Sequence, residues 1–173
     1  MTPANMIVSG LLACILILAP GYGASALPAD ESSGDITVDI PVVLKSAKVL
    51  FDIGRVSYAG DMPVALRFMD IMTDKFARQG VKGQLVAVFY GEAVYLLLND
   101  DAYNARRHVA TGNPHKGLVA QLQGKRVRLE VCAAAMKMQN IRNADLLPGV
   151  QTNEGANLRM VQLMQEGFVR LQP

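Results

Sequence analysis

The sequence is poor in aromatic residues, in cysteine and in charge. It contains no tryptophan, 6% aromatic residues and two cysteines among its 173 residues. Two cysteines are too few for a disulfide framework or for a zinc site built from several cysteines. The net charge of +2, with both signs interspersed, argues against the basic stripe that a nucleic-acid-binding surface needs. We therefore predict no nucleic-acid partner.

The shortage of charge is confined to the start of the chain. Charged residues make up 18% of the sequence, against about 25% in an average globular protein. All of them follow Ala26, so residues 27–173 have a near-ordinary charge content. That length is enough for one domain with a buried core.

The first 26 residues have the features of a secretory signal peptide. Met6–Ala19 is an apolar run of about 14 residues, whereas a membrane-spanning helix needs about 20. The run is followed by Pro20-Gly21 and by Ala24-Ser25-Ala26, a small-x-small cleavage signal. We predict cleavage after Ala26 and a periplasmic location. Two alternatives remain: a lipoprotein modified at Cys14, and an uncleaved leader, which would be the only part in contact with a membrane.

Residues 27–44 are predicted to be a linker followed by an N-terminal arm. Leu27–Gly34 is polar and contains proline, serine and glycine. In Asp35–Val43 apolar and polar residues alternate, which indicates a short edge strand or an extended arm.

From residue 45 onward, strand patterns alternate with helix patterns, which predicts a three-layer α/β/α domain with a mostly parallel sheet of about five strands. Glu92–Leu98 fits a helix or a strand equally well. The strands are predicted at Ala47–Ile53, Gly83–Tyr90, Val127–Cys132, Gly149–Thr152 and Phe168–Leu171. The helices are predicted from Pro63 to a stop at Gly80, at Asp100–His108, from Asn113-Pro114 to Gln123, at Ala133–Ile141 and at Ala156–Glu166.

Ligands of open parallel sheets bind outside the carboxyl ends of the strands. That rule nominates three segments as site candidates: Asp52–Asp61, Tyr90-Gly91-Glu92, and Cys132 with the residues up to Met136. Asp52 and Glu92 would be two carboxylates at neighbouring strand ends, although capping or turn roles explain them equally well.

Cys132 is the only cysteine after the leader, and it stands where a strand passes into a helix. The positive end of a helix dipole favours the thiolate form of such a residue, which indicates a nucleophilic or sulfur-carrying thiol. The alternative is a buried packing residue, because free cysteine is among the most buried residue types.

The remaining candidates are weaker. His108 and His115 lie in a polar stretch with several cations, so we expect both on the solvated surface, and we predict no metal site. The chain has no G-x-G-x-x-G motif, no P-loop and no G-x-S-x-G elbow. We therefore predict no nucleotide and no other cofactor.

Five segments of the chain form a recognisable set: VLFDI, VAVFYGEAVYLLL, VRLEVCAAAMKMQNI, DLLPGVQ and QEGFVRLQP. The most specific element is a strand-end cysteine with a methionine four residues later, followed by an acidic residue and Leu-Pro-Gly-Val. Together these segments resemble the DsrE/DsrF-like family of small sulfur-relay proteins, and more closely its exported single-domain branch. The similarity covers about Ala47–Pro173.

The resemblance implies a DsrE-like α/β domain over residues 45–173 and a homo-oligomeric assembly. It further implies that Cys132 carries sulfane sulfur as a persulfide, received from a small compound or a donor protein and passed to an acceptor. Asp52, Tyr90, Gly91, Glu92 and Met136 would then form the substrate site around this catalytic cysteine. The alternative is a non-catalytic oligomeric ligand-binding or structural module in which Cys132 only packs.

Overall fold

The computed structural model describes residues 36–173. The predicted signal peptide and residues 27–35 lie outside this range. Residues 36–44 contain no helix or strand, so the edge strand, one of the two alternatives for Asp35–Val43, does not form in the described residues. Residues Val42–Pro173 form one compact unit.

Helices follow strands in alternation through this unit. The strands are β1 Ser46–Ile53, β2 Tyr58–Ala59, β3 Met62–Pro63, β4 Lys82–Phe89, β5 Arg128–Cys132, β6 Gln151–Asn153 and β7 Val169–Leu171. The α-helices are α1 Val64–Gln79, α2 Asp100–Arg107, α3 Lys116–Gly124, α4 Ala133–Met138 and α5 Ala156–Gln165. Two 3-10 helices span Gly91–Leu97 and Asn143–Asp145.

The main sheet has five strands in the order β6-β5-β4-β1-β7, and every neighbouring pair is parallel. The remaining two strands, β2 and β3, form a separate antiparallel hairpin. Parallel neighbours require crossover connections, which the helices supply. The predicted parallel sheet of about five strands is therefore confirmed.

Helices cover both faces of the sheet. A Cβ placed on Gly83 of β4 would meet the ring of Phe76 in α1, so this side of β4 faces α1. Glu130 of β5 is level with Val88 of β4 and binds Arg159 of α5. Because successive residues of a strand point to opposite faces, α1 and α5 lie on opposite faces. This arrangement confirms the three-layer α/β/α fold.

The central strands are apolar along most of their length because both of their faces are covered. The last five residues of β1 and of β4 are all buried. The two edge strands, β6 and β7, have only three residues each, and short edges limit unwanted strand pairing.

A local signal sets the end of helix α1. Helix α1 ends at Gly80, whose φ of 66° is the left-handed conformation that glycine adopts without strain. The segment Glu92–Leu98, which fitted either a helix or a strand, lies up to Leu97 in the first 3-10 helix, whose residues Ala93–Leu97 are buried.

Among residues 36–173, no helix combines the length and the apolar character that crossing a membrane would require.

Candidate functional site

The carboxyl ends of three central strands meet at one edge of the sheet. The strand register pairs Ile53 with Phe89 and Phe89 with Val131. The residues that follow, Gly54, Tyr90 and Cys132, are therefore level with one another. Adjacent strands are about 4.8 Å apart, so the three predicted segments converge on this edge, as the strand-end rule requires.

Cys132 ends β5 and is buried, with 6% of its surface exposed. Its Sγ accepts a hydrogen bond from the backbone N–H of Ala156 at 3.4 Å. Ala156 is the first residue of α5, so the positive end of that helix faces the sulfur. The thiol thus faces the positive end of α5, a helix from a later part of the chain, in addition to that of the short helix that follows the cysteine.

Met136 lies one turn of α4 beyond Cys132 and is also buried, with 3% of its surface exposed. The Oγ1 of Thr152 lies 3.8 Å from its Sδ. The side chain packs in the hydrophobic core, and it does not line the cavity described next.

The other four predicted residues line a single cavity of about 460 Å³. Asp52, Tyr90, Gly91 and Glu92 form its walls together with Arg55, Ser57 and Gln172. We call it the strand-end cavity. The structure therefore brings these four residues together, whereas Cys132 lies beside Tyr90 on the next strand, outside the lining.

Asp52 is the buried charge of the strand-end cavity. Its side chain has no exposed surface, and its Oδ2 accepts hydrogen bonds from Nε of Arg170, at 2.8 Å, and from Nη2 of the same residue. Its Oδ1 has no hydrogen-bond partner among the described residues. Arg170 is 118 positions away in the chain, and the pairing of β1 with β7 brings the two together.

Tyr90 lies against Asp52 and Gly54. Burial raises the pKa of the Tyr90 phenol, and the neighbouring Asp52 carboxylate raises it further. A Cβ on Gly54 would lie 2.6–2.8 Å from the Tyr90 ring and hydroxyl, and a Cβ on Gly91 would lie 2.8 Å from the Gly54 carbonyl oxygen. Gly91 is therefore needed for the close approach of the two strand ends, and Gly54 leaves room for the Tyr90 side chain.

The DsrE/DsrF-like family model matches residues 59–171 of the chain. This range contains β4, the whole of β5 with Cys132, and the strands at both sheet edges. The chain belongs to the DsrE/DsrF-like family.

Solved structures agree with this family assignment at the level of the fold. A protein of unknown function, MTH1491 from Methanobacterium thermoautotrophicum, is 20% identical, with a TM-score of 0.57, and the match covers 73% of this chain and 99% of that one. The ychN protein from E. coli is 15% identical, with a TM-score of 0.54 and the same coverage. No curated protein matches the chain.

The histidines of this DsrE/DsrF-like chain are placed differently from each other. His108 is exposed, but the prediction that His115 is solvated is wrong, because only 8% of its surface is exposed. The buried side chain of Asn113 causes this: its Oδ1 accepts from the backbone N–H of His115 while its Nδ2 donates to the carbonyls of Leu96 and Leu98. The turn is thereby held against the first 3-10 helix.

Sequence reasoning also missed the partners of His115. The hydroxyl of Tyr58 lies 2.6 Å from that of Tyr95 and 3.4 Å from Nε2 of His115. No local pattern links positions this far apart in the chain.

Within residues 36–173, no three histidine, cysteine, aspartate or glutamate side chains are grouped as a metal ion would require.

Proposed function

We propose that this chain is a sulfur carrier that holds sulfane sulfur as a persulfide on Cys132. Its membership of a sulfur-relay-related family supports the proposal. The observation that carries it is the N–H of Ala156 directed at the Cys132 sulfur from the start of α5. A backbone donor at the positive end of a helix stabilises anionic sulfur.

The step is a nucleophilic displacement on sulfane sulfur. The Cys132 thiolate attacks a sulfur atom of a polysulfide, a new S–S bond forms, and the old S–S bond breaks. The bonding electron pair leaves with the shortened polysulfide, so no further oxidant is needed. With thiosulfate as donor, the leaving group is sulfite. A thiolate acceptor reverses the same chemistry, and Cys132 returns to a thiolate.

Access to the sulfur is the structural constraint on this step. Cys132 is nearly buried, and the adjacent strand end carries Tyr90, which lines the strand-end cavity. The proposal therefore assigns Tyr90, Asp52 and Glu92 to the approach of the donor. Met136, which is buried in the hydrophobic core one helical turn after Cys132, would help to keep water from this region.

The direct test is the intact mass of the protein after exposure to polysulfide. Cys14→Ser protein, in which Cys132 is the only remaining thiol, is expected to gain the mass of one sulfur atom, which a reductant removes. Cys132→Ser added to this background is expected to gain nothing. Absence of the adduct, or its survival in the double variant, would overturn the proposal.

A relocated thiol distinguishes a built site from ordinary thiol reactivity. Met138 lies in the same helix, α4, and is 86% exposed. In the Cys14→Ser, Cys132→Ser background, Met138→Cys supplies a free thiol without the N–H of Ala156. We expect its persulfide to form but to decay faster than the one on Cys132. Equal lifetimes would show that the α5 terminus does not stabilise the sulfur.

The second candidate function is the non-catalytic oligomeric module, and the burial of Cys132 favours it. A thiol with 6% exposure that belongs to the hydrophobic core has the surroundings of a packing residue. Native protein treated with a small alkylating reagent decides between the two. Reaction only after unfolding, together with no persulfide, would establish the packing role.

We further propose that the chain is exported to the periplasm and assembles with copies of itself before it meets a sulfur donor or acceptor. Self-association is supported by three exposed apolar side chains on the outer side of α5, Leu158, Val161 and Met164. Light scattering should report more than one chain per particle, and Val161→Asp should dissociate the assembly.

Export is tested separately by mass analysis of the mature chain, which should begin at Leu27. A start at Cys14 would indicate a lipoprotein.

A further inference from the structure

We propose that a second pocket, whose lining does not include Cys132, binds a small organic cation of the alkylated ammonium type. The pocket has a volume of about 660 Å³, and its lining includes Tyr58, Asp61, Met62, Tyr103, His115 and Leu118. We call it the aromatic pocket. It contains none of the residues assigned to sulfur transfer, so the proposal does not rest on the proposed function.

Three rings form the walls of the aromatic pocket. The rings of Tyr58 and His115 have their centroids 6.1 Å apart and are inclined at 44° to each other. Tyr103 is a buried wall, with 8% of its surface exposed, while Tyr58 is 45% exposed and stands at the entrance. Aromatic faces carry negative electrostatic potential, and a cation within about 6 Å of a ring centroid is attracted to it.

Hydrogen bonds hold the entrance ring in place. The Tyr58 hydroxyl is 2.6 Å from the hydroxyl of Tyr95 and 3.4 Å from Nε2 of His115. Burial lowers the pKa of His115, so its imidazole is neutral at neutral pH and does not repel a cation. The rings are thus positioned before any ligand arrives, which reduces the entropy lost on binding.

The charges around the pocket select the sign of the ligand. Asp61 is the only charged side chain in the lining, and it makes no ion pair with any residue from 36 to 173. The nearby cations are engaged elsewhere: Lys116 binds Asp100 at 2.5 Å, and Arg107 packs on Tyr95. An anion would therefore meet ring faces and a carboxylate, whereas a cation would be attracted by both.

The same group of aromatic rings already holds one cation. The guanidinium carbon of Arg107 lies 4.6 Å from the centroid of Tyr95, whose hydroxyl contacts Tyr58. Tyr103 packs beside Tyr95 with ring centroids 6.1 Å apart. Arg107 does not line the aromatic pocket, so the pocket offers a separate surface of the same cluster to a ligand from solution.

Tetramethylammonium is the probe that tests this inference, with tert-butanol as a neutral compound of similar shape. In NMR titrations of the full-length protein at low salt, we expect tetramethylammonium to shift the ring resonances of Tyr58, Tyr103 and His115 saturably in the millimolar range. We expect tert-butanol to bind about tenfold more weakly, because the ring faces favour charge.

Four variants locate the binding. Tyr58→Ala should weaken binding about tenfold. Tyr58→Phe keeps the ring face but loses the hydroxyl that positions it, so it should weaken binding less than Tyr58→Ala. Asp61→Asn should weaken binding and reduce its dependence on salt. Phe68→Ala removes an aromatic ring that is 51% exposed on α1, outside the pocket, and should change nothing.

Several results would overturn the proposal. Equal binding of tert-butanol would show an apolar pocket without selectivity for charge. Saturable binding of tetramethylammonium that Tyr58→Ala leaves intact would place the cation elsewhere. No saturable shift of the three rings would exclude a cation site. Each outcome is independent of persulfide formation on Cys132, which is measured separately by mass.

Discussion

Replacing Arg170 by methionine should destabilise the fold far more than an exposed arginine normally would. The substitution removes the charged partner of Asp52, whose side chain is completely buried. The remaining carboxylate oxygen, Oδ1, has no partner among the described residues to compensate. Asp52 would be left as a buried charge beside the phenol of Tyr90.

The size of the effect follows from the burial of the two partners. Breaking a buried ion pair from one side destabilises a protein by about 3–5 kcal/mol. The side chain of Arg170 is 45% exposed, so water already solvates part of the pair and can reach the carboxylate when arginine is lost. We therefore expect the low end, a loss of about 3 kcal/mol in the free energy of unfolding.

Urea unfolding at pH 7, followed by circular dichroism, measures this loss. Arg55→Met is the matched control, because Arg55 lines the same strand-end cavity but makes no ion pair within the described range. It should change the free energy of unfolding by no more than about 0.5 kcal/mol.

A double-mutant cycle identifies the cause. Asp52→Asn removes the charge that Arg170 neutralises, so the variant carrying both substitutions should be more stable than Arg170→Met alone. If Arg170→Met alone stayed within about 0.5 kcal/mol of the wild type, the pairing of Asp52 with Arg170 would contribute nothing and the reasoning would be refuted.

Two further predictions concern the packing at Gly54 and the charge on Asp70. Gly54→Ala should lower the free energy of unfolding by about 1–3 kcal/mol, because its Cβ would overlap the Tyr90 ring. Gly117→Ala in α3, where the Cβ meets open space, should instead raise it by about 0.5–1 kcal/mol. Equal effects of the two substitutions in urea unfolding would contradict this prediction. The Lys125 ammonium, 2.7 Å from Asp70, holds the pKa of that carboxyl below 3.8. The carboxylate therefore stabilises the fold above pH 3.8 and loses this effect as the pH falls through its lowered pKa. Asp70→Asn should destabilise by about 1.5 kcal/mol at pH 7, with the difference from wild type closing in acid; a constant difference would exclude the charge as its cause.

Much of the fold is encoded in local sequence patterns. The near-continuous apolar runs of β1 and β4 indicate strands covered on both faces, and the structure buries the last five residues of each. Gly80 ends α1 because glycine adopts positive φ without a steric penalty. The alternation of such strands with helices is enough to predict the three layers.

The prediction for His115 failed because it used only the neighbours in the chain. Those neighbours are polar and cationic, but the Asn113 side chain bonds to carbonyls of a buried 3-10 helix and draws the turn inward. Hydrogen bonds of this kind depend on which segments the fold brings together, and a window of neighbouring residues does not contain that information.

The candidate site, too, was predictable in part from the sequence and in part only from the tertiary structure. The strand-end rule located Asp52, Tyr90, Gly91 and Glu92, because the end of a strand is visible in the sequence and parallel strands end at one edge. The sequence by itself thus determined the α/β layers, the edge of the sheet that carries the polar residues, and the isolation of Cys132 as the only cysteine of residues 27–173. Only the tertiary structure decided that Arg170 neutralises Asp52, that the start of α5 meets the Cys132 sulfur, and that Tyr58 joins His115 in a pocket. Those contacts join residues distant in the chain, and they are fixed by strand register and helix packing, which no local pattern specifies.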